Sequence, residues 1–244
     1  MSIRKIIARR SALELLPLGN CTVNLGIGMP EGVANIAREE NIRDRMTLTV
    51  ESGPIGGLPA SGLSFGASYS PSCVVPQPSQ FDFYDGGGLD IAFLGAGEVD
   101  AAGNVNVSKF GPKFAGCGGF INISQNARQV IFCTTFTADG LKIAAVDNRL
   151  QIAQEGKTAK FVEKVEQITF SGKYALEKGT VVKYVTERGV FQLEKEGLTL
   201  TEIAPGIDME RDILDRMQFK PRVVASPKLM NPAIFSEGKM NING

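Results

Sequence analysis

Hydrophobic spacing changes period several times along the chain. Ile3, Ile6, Ile7, Leu13 and Leu16 fall on one side of a helix over residues 3–16, which Pro17 and Gly19 stop. Residues 21–25 form a short buried strand that runs into Gly26-Ile27-Gly28-Met29-Pro30. Pro30 suits the first turn of a helix reaching about Glu40. Residues 48–50 make the next strand, with Glu51 at its carboxyl end. Strand, helix, strand in that order is a βαβ unit, the mark of a parallel sheet.

Residues 52–72 are rich in Ser, Gly and Pro and cannot be regular helix. A loop of that length inside a folded domain is functional or disordered. Ile55, Leu58, Leu63, Phe65 and Tyr69 supply apolar anchors that favour order. A short helix follows over 78–84 and stops at Gly86-Gly87-Gly88, then a buried strand over 90–94. Residues 103–108 alternate polar and apolar, as a hairpin arm does. The glycine cluster Gly116-Cys117-Gly118-Gly119 precedes residues 120–126, and 129–136 read as a β-branched and aromatic strand. Short alternating segments at 141–153, 181–185, 190–194 and 198–204 read as antiparallel strands, punctuated by Asp147-Asn148, Arg188-Gly189 and Glu196-Gly197. Asp208 caps a helix to about 217, with Glu210 and Asp212 near its positive end, and the tail after Pro221 is extended. No repeat or low-complexity linker appears. The expectation is one α/β domain over 1–244, a mostly parallel sheet flanked by helices with antiparallel hairpins in the C-terminal third.

Composition narrows the chemistry. The 244 residues are 43% apolar and 21% charged, as in a globular protein with a real core. Formal charge is zero, with 26 basic and 26 acidic residues, so no basic stripe is available for nucleic acid. Arg4, Lys5, Arg9 and Arg10 read as a solvated helix face. Cys21, Cys73, Cys117 and Cys133 are widely spaced without a CxxC pair, which argues for free thiols in a reducing cytosol rather than a zinc site. The charged N-terminus has no apolar signal core and no run is long enough for a bilayer, so a soluble cytoplasmic protein without membrane contact is expected. Histidine is absent. A Ser-His-Asp or Cys-His machine and a His-ligated metal are therefore excluded within this chain.

Strand, Gly26-Ile27-Gly28, helix, strand and acid invite a dinucleotide-binding reading, with Glu51 as the ribose ligand of an oxidoreductase. The spacing fails, because Gly32 follows Gly28 by one residue too many. A ribose ligand also has no need of the glycine-rich loop after Glu51. A nucleophilic carboxylate does: Gly53, Gly56 and Gly57 leave room for a bulky acyl donor. A loop such as 116–119 can aim backbone N–H groups at an anion.

These motifs resemble those of family I CoA-transferases. The resemblance rests on Val50-Glu51-Ser52-Gly53-Pro54-Ile55-Gly56-Gly57, on Gly95-Ala96-Gly97-Glu98-Val99-Asp100 with 103–108, and on Gly116-Cys117-Gly118-Gly119-Phe120. It covers nearly the whole chain and is nearest to the short-chain acyl-CoA:acetate/propionate branch. It implies the second, glutamate-bearing domain or β subunit of the enzyme, in an oligomeric assembly with an α subunit or N-terminal domain. It implies ping-pong transfer between acyl-CoA and carboxylate substrates. Glu51 would form an acyl anhydride and then a glutamyl-CoA thioester. Coenzyme A is then substrate and covalent adduct, and no cofactor is bound permanently. Gly26, Gly28, Gly116, Gly118 and Gly119 would contact CoA or oxyanions, and Lys142 a CoA phosphate. Ser52 stands where several relatives carry Asn. A dinucleotide-binding oxidoreductase and a non-catalytic subunit with the same fold remain the alternatives.

Other candidates have plainer readings. Glu98 and Asp100 are hairpin residues, and Asn104 and Asn106 either satisfy backbone or line the site. Cys117 reads as a small packed thiol.

Overall fold

Ser2 opens the first helix by accepting the Lys5 backbone N–H at 3.2 Å, a cap that contributes about 1 kcal/mol. Helix α1 (Ile3–Ala12) tightens into a 3₁₀ turn over Leu13–Leu18, so the expected helix is present with its end wound differently. The computed structural model describes residues 1–60 and 62–242, without the side chain of Leu63, so Ser61 and the Leu63 anchor lie outside the described residues. After α1 come β1 (Cys21–Leu25), α2 (Gly32–Glu39), β2 (Met46–Thr49), β3 (Pro54–Ile55), β4 (Cys73–Val74), α3 (Gln77–Asp85) and β5 (Ile91–Gly95). Then follow α4 (Phe120–Asn126), β6 (Gln129–Cys133), α5 (Gly172–Lys178), β7 (Val181–Val185), β8 (Gly189–Glu194), β9 (Gly197–Ile203), α6 (Met209–Asp212) and β10 (Arg222–Leu229).

Among the described residues these strands form one sheet in the order β10-β9-β8-β7-β6-β5-β1-β2-β3-β4. Strands β2, β1, β5, β6 and β7 are parallel. Their apolar runs alternate between two cores. Ile91, Phe93, Ile131 and Cys133 join α1 and α2 on one face. Ala92, Leu94, Val130 and Phe132 meet residues of α4 and α5 on the other. Burial on both faces is why these strands read as continuous hydrophobic runs.

Chain direction then fixes where the sheet opens. From β1 the chain crosses through α2 to β2 on one side, and from β5 through α4 to β6 on the other. Right-handed crossovers running in opposite directions place their helices on opposite faces. A crevice is therefore left at the carboxyl ends of β1 and β5, the switch point where open α/β sheets bind ligands.

Three expectations need correction. Val181–Val185 is antiparallel only to β8; its other neighbour, β6, runs parallel to it, because α5 supplies the crossover. Arg9 and Arg10 are buried rather than a solvated face. Helix α1 packs against β6, β7 and the Pro232–Phe235 turn, and partners there hold both guanidiniums, leaving only Arg9 Nε of the two without a partner among the described residues. Arg10 donates to Glu14 at 2.8 Å and twice to Glu202 at 2.7 Å, while Arg9 reaches Ser236 O at 2.7 Å and Glu39 at 3.4 Å. Third, Tyr69 is exposed and is not an anchor of its loop.

Other readings hold. Glu98–Val99 pairs antiparallel with Val105–Asn106. Asp147 and Asn148 turn the hairpin of Lys142–Val146 and Arg149–Gln154 with φ of +51° and +58°, the pair of positive values that a two-residue I′ turn requires. Asp208 caps α6 by accepting Arg211 N–H at 2.9 Å; a 3₁₀ turn at Leu214–Arg216 replaces the rest of the expected helix. The extended tail becomes β10, parallel to β9 at the sheet edge. No described helix is long and apolar enough to cross a membrane.

Candidate active site

Strand β2 ends by reversing at once into β3. Val50 N–H donates to Pro54 O, and Gly53 N–H to Val50 O, both at 2.9 Å. Glu51 and Ser52 therefore sit at the tip of a tight turn at the carboxyl edge of the sheet. Gly53 has φ +127°, and a Cβ there would overlap the Val75 carbonyl oxygen. Only glycine fits this turn. The Ser52 hydroxyl donates to Gly66 O, tying the tip to the loop that carries Phe65.

A cavity of about 310 Å³ opens at the switch point. Leu25 and Gly26 border it from the end of β1, Leu94 and Gly95 from β5, and Val50 and Glu51 from β2. Phe65, Val107, Phe120 and Ile123 make further apolar wall, and 116–119 close one side. Gly119 lies directly against the catalytic candidate: a Cβ on it would stand 2.5 Å from Glu51 Oε2. Among the described residues no donor hydrogen-bonds the Glu51 carboxylate. Burial alone raises its pKa above the ordinary glutamate value, since desolvation disfavours the charged form. A poorly solvated, unpaired carboxylate is a better nucleophile than one held by cations.

A polar chain lies beneath it. Tyr84 Oη donates to Thr49 Oγ1 at 3.0 Å, and Thr49 Oγ1 to Val23 O at 3.0 Å. Tyr84 Oη accepts from Gln80 Nε2 at 2.9 Å and from Asn24 Nδ2 at 3.4 Å. Burial pushes the Tyr84 hydroxyl pKa up, and the Glu51 charge adds to the rise. Asn24 borders the cavity, and its Oδ1 has no partner among the described residues. Sequence reasoning passed over Asn24. The available signal was an amide beside the carboxyl end of an otherwise apolar buried strand.

The structure brings Glu51, Gly26, Gly116, Gly118 and Gly119 to one cavity. Gly28 borders a neighbouring depression between α1 and α2, and donates its N–H to Glu31 at 2.9 Å. Lys142 is exposed on the Lys142–Val146 hairpin strand and borders neither. Glu98 and Asp100 are hairpin residues as expected: Asp100 accepts from the N–H groups of Ala102 and Asn104 at 3.0 Å, and Glu98 from Asn106 Nδ2 at 2.7 Å. Asn104 accepts Gly172 N–H at 3.0 Å and Asn106 accepts Ser108 N–H at 3.1 Å, so both satisfy backbone and neither borders the cavity. Cys117 is exposed on the cavity rim, not packed, because it lies on the loop outside the sheet ends.

No protein-family model matches the chain. It is 47% identical over 237 residues to the acetate CoA-transferase YdiF of Escherichia coli (strain K12), an alignment of 97% of this chain and 44% of that protein. It is 30% identical over 219 residues to the acetate CoA-transferase subunit beta of Escherichia coli (strain K12), covering 86% of this chain and 89% of the subunit. The chain thus spans less than half of the first relative and most of the second. Its fold matches a crystal structure of the acyl-CoA transferase YdiF from E. coli O157:H7, a thioester complex with CoA. The TM-score is 0.92 at 45% identity, over 99% of this chain and 46% of that one.

Proposed function

The chain belongs to the CoA-transferase family, and from that premise we propose that Glu51 is its covalent nucleophile. The reaction moves coenzyme A from a short-chain acyl-CoA to a carboxylic acid. One observation carries the reading: the Glu51 carboxylate is half-buried, unpaired among the described residues and set in an apolar cavity at the sheet's switch point.

The Glu51 carboxylate attacks the thioester carbonyl, and the C–S bond breaks to release CoA thiolate and leave an acyl-glutamyl anhydride. The thiolate attacks the glutamyl carbonyl, expelling the first carboxylate and forming a glutamyl-CoA thioester. A second carboxylate then runs the sequence backwards. Splitting the exchange keeps the thioester bond energy and lowers each barrier. Backbone N–H groups of the 116–119 loop stabilise the tetrahedral oxyanions, and binding of the remote CoA moiety supplies energy at the reacting centre. The thioester complex with CoA formed by the structurally similar acyl-CoA transferase supports this course. The apolar wall of Leu94, Val107, Phe120 and Ile123 suits a short aliphatic acyl group.

A facing α subunit or N-terminal domain completes the site. Ile27, Phe114, Ile121 and Ile168 are exposed; Ile27 borders the cavity itself, and the other three the adjoining depression beside Cys117. One relative that extends well beyond the aligned region, and another that is named a subunit beta, support the presence of such a half.

The test uses the complete transferase that contains this chain. After incubation with acyl-CoA, borohydride or hydroxylamine should modify Glu51, and Glu51→Ala should abolish both the label and turnover. An assembled enzyme that turns over without modification at Glu51 would sink the reading.

A further inference from the structure

We propose that Phe65 is a partition that confines the acyl group beside Glu51 and that Ser52 latches it in place, so that this pair sets the upper limit on acyl chain length. The inference deepens the proposed function and rests on it, because it needs the acyl carbonyl to sit at Glu51.

Two spaces meet at Phe65. One is the cavity that holds Glu51. The other is a depression of about 170 Å³ walled by Ala34, Leu58, Pro59 and Tyr69, with Glu31 and Asn35 as its polar members. Leu25 and Phe65 are the residues that border both. Leu25 is fixed in β1, where it pairs with Phe93 of β5. Phe65 instead is half-buried on a loop, so it is the removable part of the divide. That loop is pinned at both ends. At its base Leu58–Pro59 pairs antiparallel with Ser68–Tyr69, and Ser68 Oγ donates to Gly56 O at 3.0 Å. At its tip the Ser52 hydroxyl donates to Gly66 O. This bond joins the residue after the nucleophile to the residue after Phe65, which holds the ring at the Glu51 side of the loop.

The chemistry of the second space says what it would take. Neither Lys nor Arg borders it among the described residues, and Glu31 does. An alkyl chain therefore suits it, whereas the phosphates of CoA do not. An acyl group attached at Glu51 finds room for a short chain in the first cavity. Further methylenes need apolar space, and the depression behind Phe65 supplies it only when the ring is out of the way. A hydrophobic pocket discriminates by about 10- to 200-fold for each methylene it gains or refuses. Ser52 acts through Phe65 and is a positioning residue, whereas Phe65 meets the acyl chain itself.

The experiment uses the complete transferase that contains this chain, with acetate as acceptor and straight-chain donors from acetyl-CoA to octanoyl-CoA. The quantity read is the ratio of kcat/KM for octanoyl-CoA to that for acetyl-CoA, so that a general loss of activity cancels. Phe65→Ala should raise this ratio by about tenfold or more, the discrimination expected from a single methylene at least. Phe65→Leu, a smaller apolar side chain, should raise it less and serves if the alanine variant does not assemble. Ser52→Ala should shift the ratio in the same direction, and Ser52→Thr, which keeps a hydroxyl, should restore it towards the native value. Asn35 is exposed on α2 and borders the depression. Adding Asn35→Phe to Phe65→Ala should fill that space and cancel the gain. An unchanged ratio in both Phe65 variants, or a gain that survives Asn35→Phe, would overturn the partition; an unchanged ratio in Ser52→Ala would overturn the latch. Borohydride trapping with acetyl-CoA on the native enzyme separates this inference from the nucleophile reading. Label at Glu51 with unmoved ratios removes the partition alone; shifted ratios without label at Glu51 remove the nucleophile reading instead.

Discussion

Gly119 and Glu51 touch: a Cβ placed on Gly119 would stand 2.5 Å from Glu51 Oε2 and 2.7 Å from the Phe81 ring. The backbone of a distant loop thus sets where the carboxylate points. Gly119→Ala should preserve the fold, since φ at this position is an ordinary −78°. Yet it should push the carboxylate aside and lower kcat/KM by about 10²-fold, the penalty of a misplacement near 1 Å. Steady-state kinetics alongside a thermal melt would check this; full activity in a folded variant would refute the contact's role.

Burial raises the Glu51 pKa, which ties activity and stability to pH in opposite senses. Attack requires the carboxylate, so kcat/KM should fall on the acid side with a midpoint above the ordinary glutamate value of about 4.3. For stability, a folded-state pKa above the unfolded one favours the native state while Glu51 is protonated, and that contribution is lost as pH rises through the raised pKa. Glu51→Gln should therefore abolish turnover yet melt higher than the native chain at neutral pH, with the gap closing in acid. Melting curves across pH decide it, and a variant less stable at neutral pH would contradict the sign.

Gly53 holds the turn that presents the nucleophile, with φ +127° and the Val75 carbonyl where a side chain would go. Gly53→Ala should lower unfolding free energy by about 1–3 kcal/mol, the range for a residue forced into a sparsely populated backbone region. Urea titration gives the stability, and turnover should fall with it because Glu51 shifts. Native-like values for both would mean that the turn relaxes freely.

Under the site, Tyr84 Oη is the shared acceptor for Asn24 and Gln80. Tyr84→Phe leaves both amides without it, and should destabilise the protein by about 1–3 kcal/mol. Adding Gln80→Leu removes one stranded donor and should recover part of the loss. Chemical denaturation of the two single variants and the double variant forms the cycle, and strict additivity would show that the hydrogen bond contributes nothing.

Much of this architecture was legible in the residue order because its signals are local. The run Cys21–Leu25 gave a strand with the bounds observed. Asp147 and Asn148 marked a turn because both tolerate positive φ. The order of strand, glycine turn, helix, strand and acid placed Glu51 at a sheet edge, and the missing histidines made it the best-framed nucleophile. What local signals could not carry was pairing over long separations. Val181–Val185 has the composition of a hairpin strand, yet its parallel partner β6 is reached only across α5. Arg9 and Arg10 look solvated on a lone helix; Glu14, Glu202 and the carbonyls near Ser236 make their burial tolerable, and those groups converge only when α1 packs on the sheet.

The site divides in the same way. Sequence by itself determined the chemical types present: one carboxylate at a strand end, glycine loops, thiols and no imidazole. Tertiary structure decided which of them meet. It set Gly119 against Glu51, brought Cys117 to the rim and Asn24 to the wall, and left Lys142 on an exposed hairpin. The reason is physical: residue type follows from one position, but proximity follows from crossovers that reverse direction at β1 and β5 and open the sheet there.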